Sequence, residues 1–202
     1  MMKIKTHLTI LAALTFLGGM GSVSIAAQID FSGTFSSDFT VFNGSGVNFT
    51  NSSGVAVMTN TGAAFEQTTT YQWNGVSRTA AQSWIMSVEA TATDALHDLA
   101  VPNGAWARLG IIVARHDVPV PNYLLLSHYV GDDFPTRGLV TELAGFEDHT
   151  ASSSPTQRLR LSYAADTTLL SALSGSGVVL ETVNVQTSWG MTDTSTFLFG
   201  VG

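Results

Sequence analysis

From Phe31 onward, apolar residues keep returning at every second position, and that period fixes what the chain can fold into. Phe31, Gly33, Phe35, Ser37, Phe39 and Val41 share one parity, and Trp84, Met86, Val88 and Ala90 alternate with Ile85, Ser87 and Glu89. Successive side chains of a strand point to opposite faces, so such alternation puts one set in a core and the other outside. Further runs rich in β-branched and aromatic residues cover Trp106–Arg115, 123–130, 139–143, 159–163, 178–185 and Thr196–Val201. Between them stand Asn43-Gly44-Ser45-Gly46, Asn51-Ser52-Ser53-Gly54, Asn74-Gly75, Pro102-Asn103-Gly104, Gly131-Asp132-Asp133 and Ser174-Gly175-Ser176-Gly177. Gly and Asn supply the backbone angles of tight turns. Many strands separated by such turns predict an all-β sandwich or barrel. A single helical turn over 93–99 is compatible with the pattern, and 166–173 fits either state. In Trp106–Arg115, Leu109, Ile111 and Val113 share one face while Trp106, Arg108, Gly110 and Ile112 share the other. Both faces are partly apolar, which predicts a central strand. Over 123–130, Leu124, Leu126 and His128 oppose Tyr123, Leu125, Ser127 and Tyr129.

The first 27 residues read differently. Lys3 and Lys5 precede an apolar run over 8–17, and Ser24-Ile25-Ala26-Ala27 follows. A basic start, an apolar middle and a small-residue end in that order predict an export signal. The run is shorter than the roughly 20 residues a bilayer span needs. Residues 28–202 then form one domain, secreted or at the cell surface, with no membrane insertion after the signal leaves. Both lysines leave with it, so the formal charge of −7 becomes two units more negative and every remaining cation among Lys and Arg is an arginine. A strongly acidic surface repels phosphate backbones, which excludes nucleic acid as an expected partner. The chain has no cysteine, so its core must hold it together without disulfides. Asn43, Asn48 and Asn51 fit N-x-[ST], in a composition where chance matches are expected.

Three stretches carry a family resemblance. Trp84-Ile-Met-Ser-Val-Glu89 followed by Trp106-Ala-Arg-Leu-Gly-Ile-Ile112 is one, Arg158-Leu-Arg-Leu-Ser-Tyr-Ala-Ala-Asp-Thr-Thr-Leu169 another, and Phe197-Leu-Phe-Gly-Val-Gly202 the last. Together they resemble the concanavalin A-like lectin/glucanase jelly roll, in the laminin-G-like form of bacterial exported proteins. The resemblance implies an antiparallel jelly-roll β-sandwich. It also implies one more strand after the last of these stretches, so a chain ending at Gly202 would lack its final strand. The fold hosts lectins, hydrolases, lyases and adhesive modules, so function must come from the residues of a site.

Four kinds of chemistry are open to those residues. Glycoside hydrolysis needs two carboxylates about 5–5.5 Å or 6.5–9.5 Å apart. Glu142 and Glu147 come nearest, with Gly145 between them, Glu142 read as solvent-facing on a strand and Glu147 as a loop acid. A polysaccharide lyase needs a base, an acid and a group that neutralises a uronate, and Arg108, His128 and Tyr129 are the right types. Calcium, which the resembled family often holds, needs six to eight oxygen ligands, and Asp132 and Asp133 in their turn are the candidates, with Asp94 and Asp98 behind them. No cofactor other than calcium is implied. Sugar binding needs flat aromatic faces with hydrogen-bonding groups at the rim, and Trp73, Trp84, Trp106, Tyr123 and Tyr129 are the available aromatics. Trp106 with Arg108 on one strand face is the best pairing, joined by Tyr129, His128 and Glu142. Trp84 is expected in the core and Trp73 at an exposed loop tip beside Asn74-Gly75. The leading expectation is a non-catalytic carbohydrate-binding or adhesive module. A polysaccharide hydrolase or lyase and a structural surface protein are the alternatives.

Overall fold

In a computed structural model, the described residues are 8–10, 27–29, 39–44, 47–52, 55–60, 69–74, 76–91, 106–117, 122–131 and 137–201. They form strands β1 (Leu8–Ile10), β2 (Ala27–Ile29), β3 (Phe39–Gly44), β4 (Val47–Ser52), β5 (Val55–Asn60), β6 (Thr69–Trp73), β7 (Arg78–Thr79) and β8 (Trp84–Thr91) in the first half. The second half adds β9 (Trp106–Arg115), β10 (Tyr123–Gly131), β11 (Arg137–Leu143), β12 (Phe146–Ala151), β13 (Thr156–Ala164), β14 (Leu169–Leu173), β15 (Val179–Asn184) and β16 (Thr196–Val201). One short helix, α1 (Val185–Trp189), interrupts them. The fold is all-β and its strand pairs are antiparallel. One sheet runs β15-β14-β13-β8-β1-β2, a second runs β12-β11-β10-β9-β16-β6-β3 with β7 beside β16, and β4 and β5 make a separate hairpin.

The two large sheets pack against each other, and the alternation says which side chains meet. Trp84, Met86 and Val88 of β8 and Leu159, Leu161 and Tyr163 of β13 turn inward from the first sheet. Leu109, Ile111 and Val113 of β9, Leu124 and Leu126 of β10, and Phe197 and Phe199 of β16 turn inward from the second. Trp84 joins the layers. Its ring meets Phe197 edge-on at 5.1 Å and Phe199 edge-on at 4.9 Å, and stacks on Tyr163 at 5.9 Å. Edge-to-face pairs at such spacings suit the quadrupoles of the rings. The Tyr163 hydroxyl donates to the Ala80 carbonyl at 2.7 Å, which satisfies the one polar atom it buries.

The strands expected at Trp106–Arg115 and Thr196–Val201 have those limits, and β9 is a central strand. Residues 166–173 resolve into a turn and β14. The alternation expected over 178–185 ends one residue early. The Asn184 side chain accepts from the Thr187 amide at 3.0 Å and so starts α1 at Val185, while Gly190, at φ 63°, ends it. The possible helical turn at 93–99 lies outside the described residues.

Gly110 shows how closely β9 and β10 approach. A Cβ there would lie 2.5 Å from the Leu126 carbonyl oxygen and 2.7 Å from Ser127 Cβ. Both obstacles are on the neighbouring strand, so neither moves without the sheet. Gly110→Ala is therefore expected to destabilise the fold by about 1–3 kcal/mol, the usual range for overpacking. Urea denaturation of the variant checks this, and an unchanged midpoint would mean that the strands relax freely at this point.

Candidate polar face on the eight-stranded sheet

The second sheet turns one side to the core and leaves the other side to carry chemistry. Register fixes which residues share that other side. Arg108 on β9 pairs with Tyr129 on β10, and Tyr129 with Gly138 on β11. In the next row stand Gly110, Ser127, Val140 and His149, and in the row beyond, Ile112, Leu125, Glu142 and Glu147. Glu142 and Glu147 are thus direct neighbours across β11 and β12, where Cβ atoms sit about 4.5–5.5 Å apart.

This juxtaposition depends on a tight turn. Ala144 and Gly145 have φ of 52° and 88°, so two left-handed residues join β11 to β12, as two-residue hairpins require. Glu147 was expected on a loop with Gly145 interrupting the strand. Instead Gly145 is the turn itself, and Glu147 is the second residue of a strand. All six residues of β12 are exposed, and the strand forms the edge of its sheet.

One arginine ties the face together. Arg108 Nη2 donates to Glu142 Oε2 at 2.8 Å and Nη1 donates to Glu147 Oε1 at 2.5 Å. Arg108 starts two strands and four register positions from Glu142, and the residues on its way, Gly110 and Ser127, are both small. Glu142 also accepts a hydrogen bond from the Tyr123 hydroxyl at the start of β10. Burial first, and then the bond to Glu142, push the Tyr123 phenol up to about 12, so it remains a donor at neutral pH. Glu147 lies with Oε2 3.4 Å from His149 Nε2. Burial alone would raise the Glu147 carboxyl, but its bonds to Arg108, with a further contribution from His149, outweigh that and hold it below its ordinary value. The His149 ring meets Tyr129 edge-on at 5.8 Å.

The structure therefore brings together Arg108, Glu142, Glu147, Tyr123 and Tyr129 from the residues the sequence singled out, and adds His149. It separates two others. His128 is 2% exposed and shares the core-facing side of β10 with Leu124 and Leu126, so it is on the opposite face from Arg108. Trp73 is 4% exposed and belongs to the core cluster with Tyr71, because odd positions of β6 face inward; it is not an exposed tip. Trp84, at 1%, is in the core as expected. Trp106 opens β9, but its side chain lies outside the described residues, and so do Asp132 and Asp133. Among the described residues, no group of three or more His, Asp or Glu side chains is arranged to hold a metal ion.

Chemically, the face is a set of charge-assisted hydrogen bonds in a fixed arrangement, with donors and acceptors that a polyhydroxylated ligand could join. Compared with protein-family models and with curated proteins, the chain matches none.

Proposed function

We propose that the protein is an exported, non-catalytic carbohydrate-binding or adhesive module built on a concanavalin A-like jelly roll. The observation that carries the reading is the Arg108–Glu142–Glu147 network, with Tyr123 and His149, on the side of the eight-stranded sheet away from the core. Sugar hydroxyls are recognised by planar, charge-assisted groups held in place beforehand, and each end of this network is anchored by a neighbouring strand. Tyr123, half-buried, supplies aromatic carbon on the same face, where Tyr129 is buried. Export rests on the basic, apolar and small-residue order of residues 1–27. Among the described residues, no helix is long and apolar enough to cross a membrane. Cleavage after Ala26 or Ala27 would remove β1, which pairs with β8 in the full chain.

A hydrolase is the second reading, because Glu142 and Glu147 stand opposite each other on adjacent strands. Retaining glycosidases place their carboxyl groups about 5–5.5 Å apart, but one of the two must hold a proton near neutral pH, with a raised pKa. Here one arginine bridges both groups, and Glu147 is shifted in the opposite direction. That favours binding over cleavage.

The test is a polysaccharide array on the exported chain, with Arg108→Gln and Glu142→Gln beside it, reading both retention and released fragments. Retention without cleavage is expected. Each substitution should weaken it about 10–100-fold, the scale of losing hydrogen bonds to a charged group. Fragment release abolished by Glu142→Gln would support the hydrolase. A folded protein that retains nothing would favour a structural surface protein.

A further inference from the structure

We infer that the sugar taken by this face carries a carboxylate, and that Glu147 is the group it displaces from Arg108. The inference rests on the reading of the face as a glycan site. The two carboxylates on Arg108 are not equivalent. Glu142 is on an inner strand, its side chain is 14% exposed, and the Tyr123 hydroxyl holds it from another side. Glu147 is on the edge strand, is 41% exposed, and has His149 beside it as an alternative neighbour. Glu142 therefore fixes the guanidinium, while Glu147 covers its outer edge.

A uronate carboxylate has the shape and charge of the glutamate it would replace, so the local exchange is even, although the net negative charge of the chain opposes an anionic glycan at long range. On exchange, Arg108 keeps two charge-assisted bonds, and Glu147 turns toward His149 or water. A neutral sugar would exchange a carboxylate for a hydroxyl at Arg108, keeping the charge on the donor but losing it on the acceptor. An amino sugar would have to bring its ammonium beside the Arg108 guanidinium, which repels it, while the two carboxylates attract it, so chitosan is the deciding comparison. Glu147 thus acts as an internal competitor. A ligand that binds only the state with Glu147 turned away has its affinity reduced by the fraction of molecules in that state.

The experiment is calorimetric titration of the full chain with a homogalacturonan oligosaccharide, its methyl ester and a chitosan oligosaccharide. The variants are Glu147→Gln, Arg108→Gln and Asp148→Asn. The acid form should bind and the ester should bind at least about tenfold more weakly, the scale of a charge-assisted bond lost. If the open state is about a tenth of the population, Glu147→Gln should tighten acid binding about tenfold. Asp148→Asn removes the same charge from β12 but makes no bond to Arg108, so it should tighten little. Arg108→Gln should lose the acid form, with a thermal melt confirming its fold. The inference fails if the ester binds as well as the acid, if chitosan is preferred, if Arg108→Gln still binds, or if Glu147→Gln binds no tighter than Asp148→Asn. Binding of neutral glycans alone would overturn this inference and leave the glycan reading standing. No binding of any glycan by a folded chain would end both.

Discussion

Trp84→Ala is expected to lower the stability of the fold by about 3–5 kcal/mol, the range for emptying a large aromatic site in a core. Trp84 is 1% exposed, and its ring touches Tyr163 in its own sheet and Phe197 and Phe199 in the other. Truncation removes the main link between the layers and leaves a cavity that three aromatic rings on two different sheets cannot close together. Trp84→Phe should cost much less. The indole Nε1 has no hydrogen-bond partner among the described residues, so phenylalanine keeps ring contacts and removes a buried donor. Equilibrium denaturation of the three proteins checks both statements. A Trp84→Ala cost below about 1 kcal/mol would mean that the layers do not depend on this contact.

The second large effect is a loss of stability in acid that originates at His128. The imidazole is 2% exposed, neither ring nitrogen has a hydrogen-bond partner among the described residues, and its register neighbours are Leu109 and Leu139. Burial pushes its pKa down from 6.5 to about 4, and the Ala90 carbonyl on β8 opposes this only in part. That carbonyl lies near enough to favour the cation but not where it would complete a hydrogen bond. The folded state thus keeps His128 neutral while the unfolded chain takes up a proton. Above the unfolded value of 6.5 this costs nothing. As pH falls from 6.5 toward 4, the unfolded state gains a proton that the folded state refuses, and stability drops by about 3 kcal/mol before levelling. His128→Leu should flatten this interval and keep stability at pH 7 within about 1.5 kcal/mol of the parent, since a buried polar group without a partner is exchanged for an apolar one of similar size. The same slope in the variant would move the acid response to another group.

How much of this could be read from the sequence depended on burial. β8, β9 and β16 sit at or near sheet centres, so their alternation is strong, and the core-facing sets Trp84/Met86/Val88 and Leu109/Ile111/Val113 follow from parity alone. Parity also put His128 with Leu124 and Leu126. That parity takes it to the inward side, away from Tyr129 and the binding set in which it was expected. Trp73 went astray for a similar reason: the turn at Asn74 is real, but the side chain just before it belongs to the inward parity of Tyr71. β12 was missed because nothing along it is buried. The run Glu147-Asp148-His149 has no apolar period, as suits an edge strand protected by charge. The available signal was Ala144-Gly145 with Leu143 and Phe146 flanking it symmetrically, a two-residue hairpin that places Glu142 opposite Glu147. The reach of Arg108 across two strands left no sequence signal, since it depends on register and on the small residues Gly110 and Ser127 in between.

The most direct test of the polar face is chemical-shift mapping of the chain titrated with a polysaccharide fragment it retains. If this face binds glycan, the perturbed resonances centre on Arg108, Tyr123, Glu142, Glu147 and His149, while Trp84 and His128 in the core stay still. Perturbations centred instead on β13, β14 and β15 of the other sheet, with the Arg108 guanidinium unmoved, would contradict the assignment of the site.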